Sequence, residues 1–341
     1  FHMHDMIRGQ PDFVRETLTR LRHLDGSAFL GSERQVVVTG CGTSFHAAMI
    51  GARILQDAVG DRAIVQAVHA YDLLHGTKIP RRSVVLGVSH SGSTSTTNQA
   101  LALARRSGVA TRGLCGLPGT RLDEVAEEVL VVGSVHDHSW ANTMSYTTQL
   151  TAFARLGESL CSEPKDAYPN GLDGLPHQIE ATLACEPAVR RLAKRVGRQD
   201  CVTFLGSGLD EVTALEGALK IRETSSFPAS GYHVEQFLHG PFLSIDRGDA
   251  IVALRSRDDN DRETEILRGI GRTGASVTVV GEADGTQISL PSTDRFLRPI
   301  LSVIPLQFLA YYVALEKETN PDIMRSEVPR YRPGLEPLFA S

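Results

Sequence analysis

The segment Ala214-Leu-Glu-Gly-Ala-Leu-Lys-Ile-Arg-Glu223 spaces Glu216, Lys220 and Glu223 at i, i+4 and i+7. On a helix that spacing puts all three on one face. A carboxylate–ammonium–carboxylate row has two uses. In solvent it is a stabilising ladder. Sheltered, it is a base whose carboxylate is tuned by a neighbouring cation, fit to take and return a proton. Downstream, Glu235-Gln-Phe-Leu-His-Gly-Pro241 holds His239 just ahead of a Gly-Pro turn. Imidazole titrates near neutrality, so His239 is a candidate for a second proton transfer, although a histidine in a turn also serves structure alone.

Two further stretches could hold an anion. Gly42-Thr43-Ser44 and Ser89-His90-Ser91-Gly92-Ser93-Thr94 each follow an apolar run and open a helical one. A helix N-terminus offers unpaired N–H groups and the positive end of the dipole. Ser and Thr hydroxyls around Gly92 complete a cradle suited to a phosphate dianion. The same residues also suit ordinary capping. There is no Walker A pattern, which argues against a nucleoside triphosphate. The matching place in the second half reads Arg255-Ser256-Arg257-Asp258-Asp259, whose two aspartates would repel phosphate. The first half alone is therefore expected to bind it.

The elements that must position these residues recur. Residues 36–40 form an apolar run ending in Gly-Cys-Gly-Thr-Ser, and 202–206 another ending in Gly-Ser-Gly-Leu-Asp, 166 residues later. The runs 84–89 and 251–256 match at an offset of 167, and 108–113 and 274–279 at 166. Gln149-Leu-Thr-Ala-Phe153 parallels Gln307-Phe-Leu-Ala-Tyr311. The chain is read as a tandem duplication. Short apolar strands alternate with longer helical stretches such as 44–59 and 94–107, the pattern of a parallel sheet covered on both faces. The expected fold is α/β: two three-layer αβα domains, each a flavodoxin-like parallel sheet flanked by helices. Expected boundaries are an N-terminal helical segment at 1–22, a phosphate-binding domain at 23–161, a linker at 162–180 and a second domain with the tail at 181–341. Ligands in such sheets bind beyond the carboxyl ends of the strands.

Composition narrows the function classes. The 341 residues carry 35 basic and 40 acidic side chains, a formal charge of −5, which gives no footprint for nucleic acid. Five scattered cysteines lack zinc-ligand spacing and read as reduced thiols in a cytoplasmic protein. No apolar run reaches the roughly 18 residues of a membrane span, and no signal peptide is evident. Phe1 and His2 read as residues left from expression, with Met3 as the natural start.

Taken together, these stretches resemble the isomerase portion of glutamine–fructose-6-phosphate amidotransferases, a pair of sugar-isomerase (SIS) domains. The likeness runs from Met3-His-Asp-Met-Ile7 through Gly40-Cys-Gly-Thr-Ser44, residues 89–94 and Thr147-Thr-Gln-Leu150. It is strongest at 214–223 and His239-Gly-Pro241, and returns at Pro305-Leu-Gln-Phe-Leu-Ala-Tyr311. The resemblance implies phosphate binding by Gly42, Thr43, Ser44, Ser89, His90, Ser91 and Thr94, with His90 in place of the family's glutamine. It implies Glu223 as the base between C1 and C2, His239 as the ring-opening residue lent by a neighbouring subunit, and Glu216 and Lys220 as further polar residues of the site. A homodimer with shared active sites follows, with a sugar phosphate as the small-molecule partner, and neither metal nor cofactor is required.

Three departures matter. The sequence is read as lacking the family's glutaminase domain, since both halves are taken up by the repeat. The family's Schiff-base lysine has no counterpart, since Pro329 or Arg325 falls at that place and no lysine follows Lys317. Arginine stays protonated and forms no imine. The family's Ala-Ser-Thr-Lys stretch reads Ala141-Asn-Thr-Met144, leaving Asn142 as the candidate for a sugar hydroxyl. The expected reaction is conversion of an amino sugar 6-phosphate to a ketose 6-phosphate and ammonia. A fructosamine-6-phosphate deglycase and a plain aldose–ketose isomerase use the same proton shuttle. A non-catalytic phosphosugar-binding regulator is the alternative of another class.

Overall fold

The computed structural model describes residues 1–161, 171–256, 261–282, 285–323, 325 and 327–334. Much of the expected linker, together with Arg257, Asp258 and Asp259, lies outside them.

Among the described residues, ten strands form two sheets, all parallel. β1 (Gln35–Thr39), β2 (Ile64–Ala67), β3 (Ser83–Ser89), β4 (Ala110–Cys115) and β5 (Glu128–Val131) make the first, in the order β2-β1-β3-β4-β5. β6 (Cys201–Gly206), β7 (Ala229–His233), β8 (Asp249–Arg255), β9 (Ser276–Gly281) and β10 (Ile288–Ser289) repeat that order as β7-β6-β8-β9-β10. The registers repeat too: Gln35 pairs with Ser83, and Cys201 with Asp249, each residue 166 beyond its counterpart. The central strands are apolar because helices cover both faces. Every residue of β3 is buried, as are all but the last of β8.

Each domain packs its first long helix on its last. In the first, helix Thr43–Val59 meets helix Met144–Leu160, and Gly51 lets the Phe153 ring come close: a Cβ there would lie 2.5 Å from it. In the second, helix Leu209–Ser225 meets helix Arg298–Glu316 at Gly217, where a Cβ would lie 2.7 Å from Leu306. The helix Arg298–Glu316 is long and apolar enough to cross a membrane, but most of its residues are buried in the second domain. It is a core helix.

Chain continuity does not coincide with the compact units. One comprises residues 9–137, 144–176 and 328–341; the other comprises 1–8, 138–143 and 177–327. The expected N-terminal segment 1–22 thus divides at Gly9. Helix His2–Arg8 belongs with the second domain, where Asp322 accepts the N–H groups of His2 (2.8 Å) and Met3 (2.7 Å) and caps its first turn. Helix Gln10–Arg20 belongs with the first domain, where Thr17 donates to the Val132 carbonyl at 2.8 Å.

Candidate active site

In the first domain the strand order reverses between β1 and β3, so the loops after these neighbouring strands face one crevice at their carboxyl ends. Gly42, at φ 55°, turns the chain from β1 into helix Thr43–Val59. Ser44 stands half-buried in its first turn, whereas Thr43 is only 8% exposed. The Ser44 hydroxyl accepts from Gln149 Nε2 at 3.1 Å. After β3, Ser89 Oγ pairs with Thr94 Oγ1 at 3.0 Å, and Ser91 Oγ with Ser93 Oγ at 2.9 Å. Thr94 precedes helix Ser95–Arg106, and Asn98 Nδ2 donates to the Gly92 carbonyl at 3.0 Å.

Gly92 has φ 63°, and a Cβ there would lie 2.1 Å from Thr120 Oγ1. Gly92→Ala therefore combines a left-handed backbone with a clash, a strain on the order of 1–3 kcal/mol that the loop relieves by moving. Inorganic phosphate affinity, measured by calorimetry, is expected to fall at least tenfold while the far-UV spectrum stays unchanged.

The structure turns one candidate ligand away from the hydroxyl groups of the loop. The His90 ring turns into the domain, where Nε2 accepts the Asp137 N–H at 3.2 Å and the ring centroid lies 6.2 Å from that of His136. Burial first, and then the charge of His136, push its pKa down to about 4. The neutral ring carries its proton on Nδ1, which is buried and without a partner among the described residues. The imidazole offers no donor to a bound phosphate. His90 instead braces the loop, its carbonyl accepting the Gly116 N–H at 2.9 Å. A pH dependence follows. The unfolded chain takes up this proton near pH 6.5 and the folded chain near pH 4, so stability is complete above pH 6.5 and declines as pH falls between them. Urea unfolding should show a loss on the order of 2 kcal/mol between pH 6.5 and 5 that is missing in His90→Gln.

The second domain holds the carboxylate row on helix Leu209–Ser225. Glu216 and Lys220 are fully buried, and the Glu223 side chain is 22% exposed. Lys220 Nζ lies 3.3 Å from Glu216 Oε1 and 2.6 Å from Glu223 Oε2, and donates to the Ala141 carbonyl. Three acceptors match the three donors of an ammonium. Burial alone would lower the Lys220 pKa, but Glu216 and Glu223 outweigh it and hold it above the ordinary lysine value. The solvated ladder is thereby ruled out for Glu216 and Lys220. Glu223 is the end of the row that reaches the surface.

Ala141 was not legible as a site residue, because a backbone carbonyl has no sequence signature. Its turn, residues 138–143, folds with the second domain, and Asn142 sits there in a left-handed conformation at φ 53°. Asn142 Nδ2 donates to the Trp140 carbonyl at 3.1 Å. His239 follows the short helix Val234–Phe237 with its side chain 67% exposed, Nε2 lying 3.9 Å from Glu235 Oε1.

The second domain repeats the turn of the first, with Gly208 at φ 56° where Gly42 has 55°. The position of Ser44 is taken by Asp210, 2% exposed, which pairs with Arg298 at 3.0 Å and accepts from Ser302 Oγ at 3.3 Å. A built-in carboxylate thus occupies the helix end where the first domain keeps a hydroxyl, a reason independent of Asp258 and Asp259 for the two halves to differ in anion binding.

Twin flavodoxin-like sheets, one with a hydroxyl-lined loop at its switch point and one with a buried carboxylate row, define a class of tandem α/β ligand-binding proteins. The SIS domain family model matches residues 29–158 and 198–317. The chain belongs to the SIS domain family. It is 30% identical over 349 residues to the glutamine–fructose-6-phosphate aminotransferase [isomerizing] of Symbiobacterium thermophilum, covering 94% of this chain and 57% of that protein. The chain spans about half the length of the curated relatives it matches. Among solved structures, the C-terminal domain of glucosamine-fructose-6-phosphate aminotransferase from Francisella tularensis superposes with a TM-score of 0.84 at 23% identity, covering 94% of this chain and 98% of that one. A glucosamine-6-phosphate deaminase from Thermotoga maritima superposes with a TM-score of 0.80 at 17% identity, covering 94% and 97%.

Proposed function

We propose that this chain is a sugar-phosphate isomerase of the deaminating kind, acting on glucosamine 6-phosphate or a similar amino sugar 6-phosphate. The observation that carries this reading is the Glu216–Lys220–Glu223 row, buried at one end and open to the surface at Glu223. In this scheme the first domain grips the phosphate through Ser44, Ser89, Ser91, Thr94 and first-turn N–H groups. That anchoring orients C1 and C2 of the sugar, an effective-concentration gain. His239 moves the ring-opening proton. Glu223 takes the proton from C2 and returns it to C1, which leaves an imine at C2. Water adds to the imine, and ammonia departs to give the ketose 6-phosphate. Two similar proteins whose names mention fructose 6-phosphate or glucosamine 6-phosphate support the substrate class.

The proposal includes a homodimer with shared active sites. The exposure of His239 suits a residue lent to a second copy. Five unpaired cysteines suit the reducing cytoplasm. A panel of glucosamine 6-phosphate, a fructosamine 6-phosphate and plain hexose 6-phosphates, assayed for ammonia, amine and ketose, tests the reaction. Ammonia from the first supports it. Amine from the second alone makes the chain a deglycase. Tight binding with no turnover of any makes it a regulator.

A further inference from the structure

Gln149 lies on helix Met144–Leu160, 1% exposed, among side chains that are nearly all apolar or engaged with backbone. Its neighbours Thr147, Thr148 and Thr151 satisfy their hydroxyls on carbonyls three or four residues back, at 3.0, 3.0 and 2.7 Å. Gln149 does otherwise. Its Nε2 donates to Ser44 Oγ at 3.1 Å, and its Oε1 is buried with no partner among the described residues. A buried amide left half-satisfied is unfavourable, and a methionine would fill the space without that loss.

A serine hydroxyl has one proton and two lone pairs. The Gln149 amide fills one lone pair, so the Ser44 proton cannot point back at Gln149. No other partner of the Ser44 hydroxyl occurs among the described residues. The proton is left for a group outside the chain, at a helix N-terminus that favours an anion. The second domain shows the contrast. There Asp210 replaces the serine, and Gln307, the counterpart of Gln149, donates to the Thr143 carbonyl at 3.0 Å. The amide-to-hydroxyl bond occurs in the domain with the hydroxyl-lined loop.

We propose that Gln149 is a positioning residue for substrate: by donating to Ser44 Oγ it commits the Ser44 hydroxyl to donate to a phosphate oxygen. The inference rests on the reading of Ser44 as part of a phosphate cradle. A double-mutant cycle on the full chain tests it, with inorganic phosphate as the probe in calorimetry. Ser44→Ala and Gln149→Met should each weaken phosphate at least fivefold, and the double variant should be no weaker than Ser44→Ala within twofold. Gln149→Glu keeps the shape but accepts the Ser44 proton and adds negative charge. It should bind phosphate more weakly than Gln149→Met, and it carries the test if the methionine variant does not fold. For the sugar phosphate, the Gln149 variants should raise KM by a larger factor than they lower kcat.

If Ser44→Ala weakens binding but the Gln149 variants bind as wild type, the positioning role alone is overturned. Losses that multiply fully in the double variant overturn it equally, because Gln149 would then act independently of Ser44. If Ser44→Ala itself binds phosphate as wild type, the cradle reading fails and the positioning role fails with it.

Discussion

If the proposed reaction holds, Glu223→Gln is expected to lower turnover of glucosamine 6-phosphate by about 10²- to 10⁴-fold, the range for removal of a positioned general base. The glutamine keeps the size of the side chain and an oxygen for the Lys220 ammonium, now held at 2.6 Å by Glu223 Oε2. Lys220 retains Glu216 at 3.3 Å and the Ala141 carbonyl, so the fold is expected to survive. What disappears is the capacity to take a proton from carbon. Affinity for inorganic phosphate, which belongs to the first domain in this account, should change less than threefold. A stopped assay for ammonia together with phosphate calorimetry separates the two effects. Loss of both would point to a structural role for Glu223.

Lys220→Met is expected to destabilise the chain by about 3–5 kcal/mol, the cost of leaving a buried carboxylate without its counter-charge. Glu216 is fully buried, and the structure offers it Lys220 as its ion-pair partner at 3.3 Å. Methionine matches the lysine stem in volume, so the loss is electrostatic rather than a cavity. Adding Glu216→Gln should recover much of the stability, because both buried charges then go together. The double variant stays inactive if Lys220 also holds Glu223 in place. Urea unfolding of the three proteins measures the stability terms. Because Lys220 is held above the ordinary lysine value, its contribution is complete below about pH 10.5. It is lost only as pH rises through the higher folded value, so neutral-pH measurements report it in full.

The duplicated fold was legible because parallel strands covered on both faces read as unbroken apolar runs. The runs expected at 36–40 and 202–206 correspond to β1 at Gln35–Thr39 and β6 at Cys201–Gly206. The spacing of Glu216, Lys220 and Glu223 showed a shared helix face but not its burial, since the same spacing serves an exposed ladder. Burial was decided by helix Arg298–Glu316 and by the turn at 138–143, neither of which is local to the row. The orientation of His90 was not legible for a related reason. Its place in the loop was right, but the direction of its ring is set by Asp137 and Gly116, which only the folded chain brings to it. Asp210 was visible in the repeat as Gly-Ser-Gly-Leu-Asp. Its pairing with Arg298, 88 residues away, was not. Gln149 was noticed as part of a helix pattern, whereas its bond to Ser44 spans 105 residues.

The shuttle between C2 and C1 is read most directly by proton NMR in deuterated water, with glucosamine 6-phosphate as substrate. Wild type should yield ketose 6-phosphate bearing less than one full deuterium at C1, since a single carboxylate returns part of the proton it removes, and Glu223→Gln should form product and wash label into unreacted substrate at C2 more slowly by the same factor of about 10²–10⁴. Equal exchange at C2 in wild type and Glu223→Gln would show that another group moves the proton, and the account of this site would be wrong.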